Sequence, residues 1–146
     1  MKIVIACDHR GFEAKKRLLP LLKKMGHEVE DIGCESTISV DYPDYALPAA
    51  RSVAEGKYDV GILLDQSGIG MSICANKIPR VRAALAHDEV TARIAREHNH
   101  CNVLCMGTDL ISEETIRSIV EIFLNAQFAE GRHARRVAKI DELLSQ

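Results

Sequence analysis

Two short stretches concentrate groups that can move protons and hold negative charge. The first is Asp8-His9-Arg10-Gly11, a carboxylate, an imidazole and a guanidinium in consecutive positions. The second is Asp65-Gln66-Ser67-Gly68-Ile69-Gly70, whose two glycines let backbone N–H groups converge on an anion beside a carboxylate. It is neither a dinucleotide fingerprint nor a Walker loop, since it lacks the third glycine of one and the Lys-Ser/Thr of the other. Further on, Arg96-Glu97-His98-Asn99-His100 offers His98 for acid–base work near neutral pH. Arg132 and Arg136 stand one helical turn apart, a spacing that lets two guanidiniums grip a phosphate. Each feature also has a plain structural reading. Asp8 could cap a helix, the glycines could make an ordinary turn, and His98 could cap a helix C-terminus. For the arginines that reading is weaker, because positive charge at a helix start opposes the helix dipole and favours an external anion.

The elements that must position these groups follow a βαβ rhythm. Runs at Lys2–Cys7, Glu28–Ile32, Val60–Leu64, Arg82–Ala86 and Asn102–Met106 read as strands, most of them apolar on both faces. Strands buried on both sides imply a parallel sheet covered by helices. Residues near 11–25, 45–55, 69–77, 88–98 and 112–126 have helical composition, with a kink or break predicted at Pro20. In such sheets ligands bind beyond the carboxyl ends of the strands, where both reactive stretches fall. A last helix over Gly131–Leu144, with Val137, Ile140, Leu143 and Leu144 apolar, has no strand to serve and predicts packing against a second copy. The expected architecture is a single α/β domain over residues 1–146, a doubly wound, Rossmann-like five-stranded parallel sheet, in a homodimer or a dimer of dimers.

Composition excludes several classes. At 146 residues, 47% hydrophobic, the chain is long enough for one full core. No apolar run approaches the ~20 residues that span a bilayer, and the N-terminus turns polar too early for a secretory signal, so no membrane role is expected. A net charge of −2, from 19 Lys and Arg against 21 Asp and Glu, lacks the field that nonspecific nucleic-acid binding needs. Five cysteines without a CxxC pair read as reduced, mostly buried thiols of a cytoplasmic protein. No set of four ligands has zinc-like spacing.

Taken together, Asp8-His9, Asp41-Tyr42-Pro43-Asp44-Tyr45, Ser67-Gly68-Ile69-Gly70 followed by Ala75-Asn76-Lys77, Glu97-His98-Asn99 and Gly131-Arg132-His133 resemble one family along essentially the whole chain. It is that of the type B ribose-5-phosphate isomerases and galactose-6-phosphate isomerases. The resemblance implies aldose–ketose isomerisation of a sugar or sugar phosphate, without metal or organic cofactor, at sites shared between two subunits. By position, it implies that Asp8 and His98 assist sugar-ring opening and that Asn99 and Tyr42 hold hydroxyls. Ser67, Gly68, Ile69 and Gly70 would cradle the enediolate oxygen, while His9, Arg132 and Arg136 hold the phosphate.

Two positions depart from the family pattern. Asp65 stands where the base is commonly Cys, and Met71 where other members carry a Glu base, so Asp65 is the candidate base. Asp109 stands where phosphate-binding members typically have Arg. A like charge near a phosphate dianion predicts poor use of ribose 5-phosphate, unless Asp109 turns outward or pairs with Arg132 or Arg136. The alternative is a non-catalytic sugar-phosphate-binding or regulatory subunit, because an Asp at position 65 also resembles the catalytically incomplete galactose-6-phosphate isomerase subunit. A receiver-domain reading of Asp65 as a phospho-acceptor fails, since Asp8-His9, Ala86-His87 and Gly107-Thr108 do not supply the acidic pair, hydroxyl and lysine it needs.

Overall fold

The computed structural model describes residues 1–143. Five strands, β1 (Lys2–Cys7), β2 (Glu28–Asp31), β3 (Val60–Asp65), β4 (Ala83–Leu85) and β5 (Val103–Gly107), form one sheet in the order β2-β1-β3-β5-β4. Every pairing is parallel. The central strands β1, β3 and β5 are buried along almost their whole length, which is why they read as continuous apolar runs. Edge strands β2 and β4 are partly exposed, and β4 is shorter than the Arg82–Ala86 run predicts.

The helices are α1 (Phe12–Lys24), α2 (Pro43–Ala54), α3 (Ile69–Ala75), α4 (Glu89–Glu97), α5 (Glu113–Asn125) and α6 (Arg132–Leu143). One face of the sheet buries Ile3, Ile5, Ile62 and Leu104 against Leu18 and Leu22 of α1 and Ile119 and Phe123 of α5, with Ala92 of α4 in the same cluster. The other buries Val4, Ala6, Leu63 and Val103 under Ala46, Ala49 and Ala50 of α2 and Met71 of α3. Small alanines on α2 let that helix lie close to the strands.

Helix α1 runs on through Pro20, so of the kink or break expected from the sequence the break does not occur. Proline removes the N–H that would bond the carbonyl four residues back. Here Pro20 and Lys16 both lie on the exposed face, where water can serve that carbonyl, while Leu18 and Leu22 anchor the opposite face.

The last helix ends at Leu143, so Leu144 lies outside the described residues. Its Val137 is buried, but Ile140 and Leu143 are exposed on this single chain. Arg82 ties α6 to the body of the chain through Asp141 at 3.3 Å. Among the described residues, no helix is long and apolar enough to cross a membrane.

Candidate active site

The chain reverses its winding direction between β1 and β3, which are neighbours in the sheet although β2 separates them in sequence. A crevice must open beyond their carboxyl ends, because the helices following the two strands leave to opposite faces. Asp8 and Asp65 occupy these two ends, and both are 5% exposed. A cavity of about 550 Å³ lies over them, lined also by His9, Arg10, Tyr42, Gln66, Ser67, Ile69, Gly70 and Ile73.

The strand ends are tied to one another. The N–H of Asp8 donates to the Leu64 carbonyl at 3.2 Å, and the N–H of Thr108 donates to the Asp65 carbonyl at 2.9 Å. The Thr108 hydroxyl lies 3.0 Å from the Arg10 carbonyl and 3.2 Å from that of Asp65, bridging the loops after β1 and β3. Glycine is required at two of these approaches. A Cβ on Gly11 would lie 2.5 Å from the Leu64 oxygen, and one on Gly107 would lie 2.5 Å from the Ser67 carbonyl carbon.

Asp8 does not cap α1, whose N-cap is Gly11 without a side-chain bond; it closes the turn before the helix and also faces the cavity. Its Oδ1 accepts the N–H groups of Arg10 at 2.9 Å and Gly11 at 3.3 Å. Asp65 accepts the N–H of Gly68 from the loop it precedes. Burial raises the Asp65 pKa above the usual carboxylate range, and the neighbouring Asp8 adds to the rise, while amides of Gly68, Met71 and Ser67 oppose it. The anion nest foreseen in the sequence is thus already partly occupied by Asp65. The Ser67 hydroxyl accepts the Ile69 N–H at 3.2 Å, taking a second loop amide.

His9 is oriented by the loop before α2. Its Nδ1 accepts the Val40 N–H at 3.2 Å, so the neutral ring carries its proton on Nε2. That loop is anchored from below by the buried Lys15, whose Nζ donates to the Cys34 carbonyl at 2.7 Å and lies 2.9 Å from the Asp31 carboxylate. Tyr42 caps the start of α2, with its ring over Gly70, where a Cβ would come within 2.7 Å of ring carbons.

The other candidate residues lie elsewhere on this chain. His98 stacks on His133, with ring centroids 4.2 Å apart and planes within 7°. Desolvation lowers the His133 pKa, and His98, Arg132 and Arg136 lower it further. Asn99 lines a separate cleft with Leu85, Ile94 and Ile140. Asp109 lines a cleft between α1 and α5 and forms an ion pair with Arg10, not with Arg132 or Arg136. Arg10 follows the end of β1, and its residue type alone implied no role there. Its pairing with a residue 99 positions away has no local signal.

Asn76 is structural, holding the Ala83 backbone by two bonds of 2.9 and 3.0 Å. All five thiols are free, and Cys74 is half-exposed rather than buried. Burial pushes the Cys7 thiol up to about 12 and that of Cys101 to about 11. Among the described residues, no three His, Cys, Asp or Glu side chains are grouped to hold a metal ion.

A doubly wound sheet with two buried carboxylates and a glycine loop at its switch point defines an α/β protein with a ligand crevice equipped for acid–base chemistry. Comparison narrows the class. The ribose/galactose isomerase family matches residues 3–140, and the chain belongs to that family. It is an isomerase of the aldose–ketose type, catalysing an intramolecular oxidation–reduction. The chain is 41% identical over 139 residues to ribose-5-phosphate isomerase B of Escherichia coli (strain K12), covering 95% of this chain and 93% of that one. Its fold superposes on Clostridium thermocellum ribose-5-phosphate isomerase B with a TM-score of 0.97 at 43% identity, covering 99% and 98% of the two chains. The Mycoplasma genitalium ribose-5-phosphate isomerase B with bound ribulose-5-phosphate gives 0.96 at 38% identity, covering 99% and 97%.

Proposed function

We propose that this protein interconverts an aldose phosphate of the ribose 5-phosphate class and its ketose through an enediolate, with Asp65 as the base. The observation that carries this reading is Asp65 itself, a buried carboxylate at the cavity floor whose pKa is raised. A base is most effective when its pKa approaches the working pH. Asp65 takes the proton from C2 of the open-chain aldose, and the electron pair passes through C1–C2 to leave the charge on the carbonyl oxygen. Asp65 then returns the proton to C1, while the Ser67 hydroxyl relays the second proton between the two oxygens. Once protonated, Asp65 is a weaker acceptor for the Gly68 N–H. That donor is released toward the enediolate oxygen as its charge develops. Gly68, Ile69 and Gly70 form the rest of this cradle.

The residues outside the cavity enter from a second copy of the chain. His98 assists Asp8 in ring opening, Asn99 and Tyr42 hold hydroxyls, and Arg132 and Arg136 hold the phosphate with His9. Two features support a homodimer. Ile69 and Ile73, on the cavity rim, are 52% and 56% exposed, and Ile140 and Leu143 of α6 are also uncovered. The free thiols suit a cytoplasmic setting.

The Arg10–Asp109 ion pair removes the reason to expect poor use of ribose 5-phosphate, because the Asp109 charge meets a cation before it meets a ligand. The test is a panel of pentose and hexose phosphates with the corresponding free sugars, incubated with the purified protein alone. Conversion of ribose 5-phosphate to its ketose is the expected result. Binding of ribose 5-phosphate without its conversion would overturn this reading of the substrate class and of Asp65 as the base.

A further inference from the structure

Among the described residues, Arg10 is the one arginine or lysine lining the cavity, and its neighbours there include the carboxylates of Asp8 and Asp65. The same side chain borders the cleft between α1 and α5, so it stands in the partition between two cavities. Its backbone is held on both sides. The N–H donates to Asp8 Oδ1 at 2.9 Å, and the carbonyl accepts from the Thr108 hydroxyl at 3.0 Å. On the cleft side, Asp109 takes Nη2 of the guanidinium. Among the described residues, no hydrogen bond engages the other guanidinium nitrogens. A half-exposed ion pair contributes little to stability, so stability alone gives scant reason for fixing a guanidinium at this place.

We propose that Arg10 is a substrate-binding residue that contacts the phosphate of the sugar phosphate from the chain carrying Asp65, and that Asp109 is a positioning residue acting through it. The inference rests on the reading of the cavity as a sugar-phosphate site. A guanidinium has five N–H donors in a planar fork, so one edge can stay on Asp109 while another meets phosphate oxygens. The pair also balances charge. A lone arginine here would be drawn onto Asp8 and Asp65, neutralising the carboxylate that must act as base, and Asp109 holds it away.

The test measures binding of ribose 5-phosphate and of ribose by calorimetry, with steady-state kinetics alongside, for the unmodified protein and the Arg10→Gln, Asp109→Ala, Asp109→Glu and Arg10→Gln/Asp109→Ala variants. The side chains are partly exposed, so folding should survive each change. Loss of a charge-assisted hydrogen bond should lower the preference of Arg10→Gln for ribose 5-phosphate over ribose by about tenfold or more. The change should fall on KM more than on kcat. Asp109→Ala should show a smaller loss, Asp109→Glu should restore most of it, and Asp109→Ala should add nothing in the Arg10→Gln background. If the unmodified protein binds ribose 5-phosphate and Arg10→Gln keeps its preference within about twofold, the inference is overturned while the functional reading stands. Equal losses from Asp109→Ala with and without Arg10 would overturn the positioning role. Failure of the unmodified protein to bind ribose 5-phosphate would overturn both the functional reading and this inference.

Discussion

The carboxylate of Asp65 and the backbone N–H of Gly68 are hydrogen-bonded across the turn that joins β3 to α3. One bond joins the proposed base to the loop proposed to hold the enediolate oxygen, so in that mechanism proton transfer and charge stabilisation would be coupled within four residues.

Asp65→Asn is therefore a clean test. The asparagine carbonyl can still accept from Gly68, keeping the loop in place, but it cannot take a proton from carbon. Turnover should fall by about 10²–10⁴-fold with substrate affinity changed little, and a loss below about tenfold in kcat would remove Asp65 as the base. Because burial raises the Asp65 pKa, the acid limb of the kcat/KM profile should lie above the ordinary carboxylate range. The sign for stability is the reverse. A carboxylate whose folded pKa is raised favours the folded state below its unfolded pKa, and that contribution is lost as pH rises through the folded value. Asp65→Asn should then unfold at an equal or higher temperature than the unmodified protein at neutral pH, read by thermal melts.

Mixing subunits tests whether the site is shared. Asp65→Asn and Arg132→Ala homodimers should each be nearly inactive, whereas their heterodimers should regain one intact site when the two residues come from different chains. Confirmed heterodimers with no recovered activity would show that each chain completes its own site.

Gly107→Ala forces a Cβ to within 2.5 Å of the Ser67 carbonyl carbon, a backbone atom that cannot move without shifting the loop after β3. The variant should lose about 1–3 kcal/mol of stability in denaturant titration, with kcat reduced in the surviving folded fraction. Full activity and an unchanged midpoint would mean that the close approach of β5 to the loop is not needed.

Lys15→Met should act at a distance. It leaves the Cys34 carbonyl and the Asp31 carboxylate without the buried ammonium that joins them, at a cost of about 1–3 kcal/mol. The loop from Cys34 to Tyr42 should loosen, raising KM through His9 and Tyr42 while the pH profile set by Asp65 stays in place. An unchanged thermal midpoint would show that methionine packing replaces the lost pair.

The strands were legible because burial on both faces leaves long apolar runs, and the reactive stretches were legible because strand ends are where such folds place chemistry. Asp8, His9, Tyr42, Asp65, Ser67, Ile69 and Gly70 do line one cavity, since β1 and β3 are neighbours and the glycine at 70 admits the Tyr42 ring. Three things had no local signal. The continuity of α1 through Pro20 depends on which face of the helix meets water. The partial occupation of the glycine loop by Asp65 depends on the side-chain direction at the end of a buried strand. The meeting of Arg10 with Asp109 depends on β5 lying beside β3, which brings residues 99 positions apart to the same sheet edge. Periodicity and residue type, which are properties of neighbours in sequence, determined the fold class and nominated the candidate groups. The partners of those groups were decided by strand order, because ion pairs and hydrogen bonds act over a few ångströms of space regardless of separation along the chain.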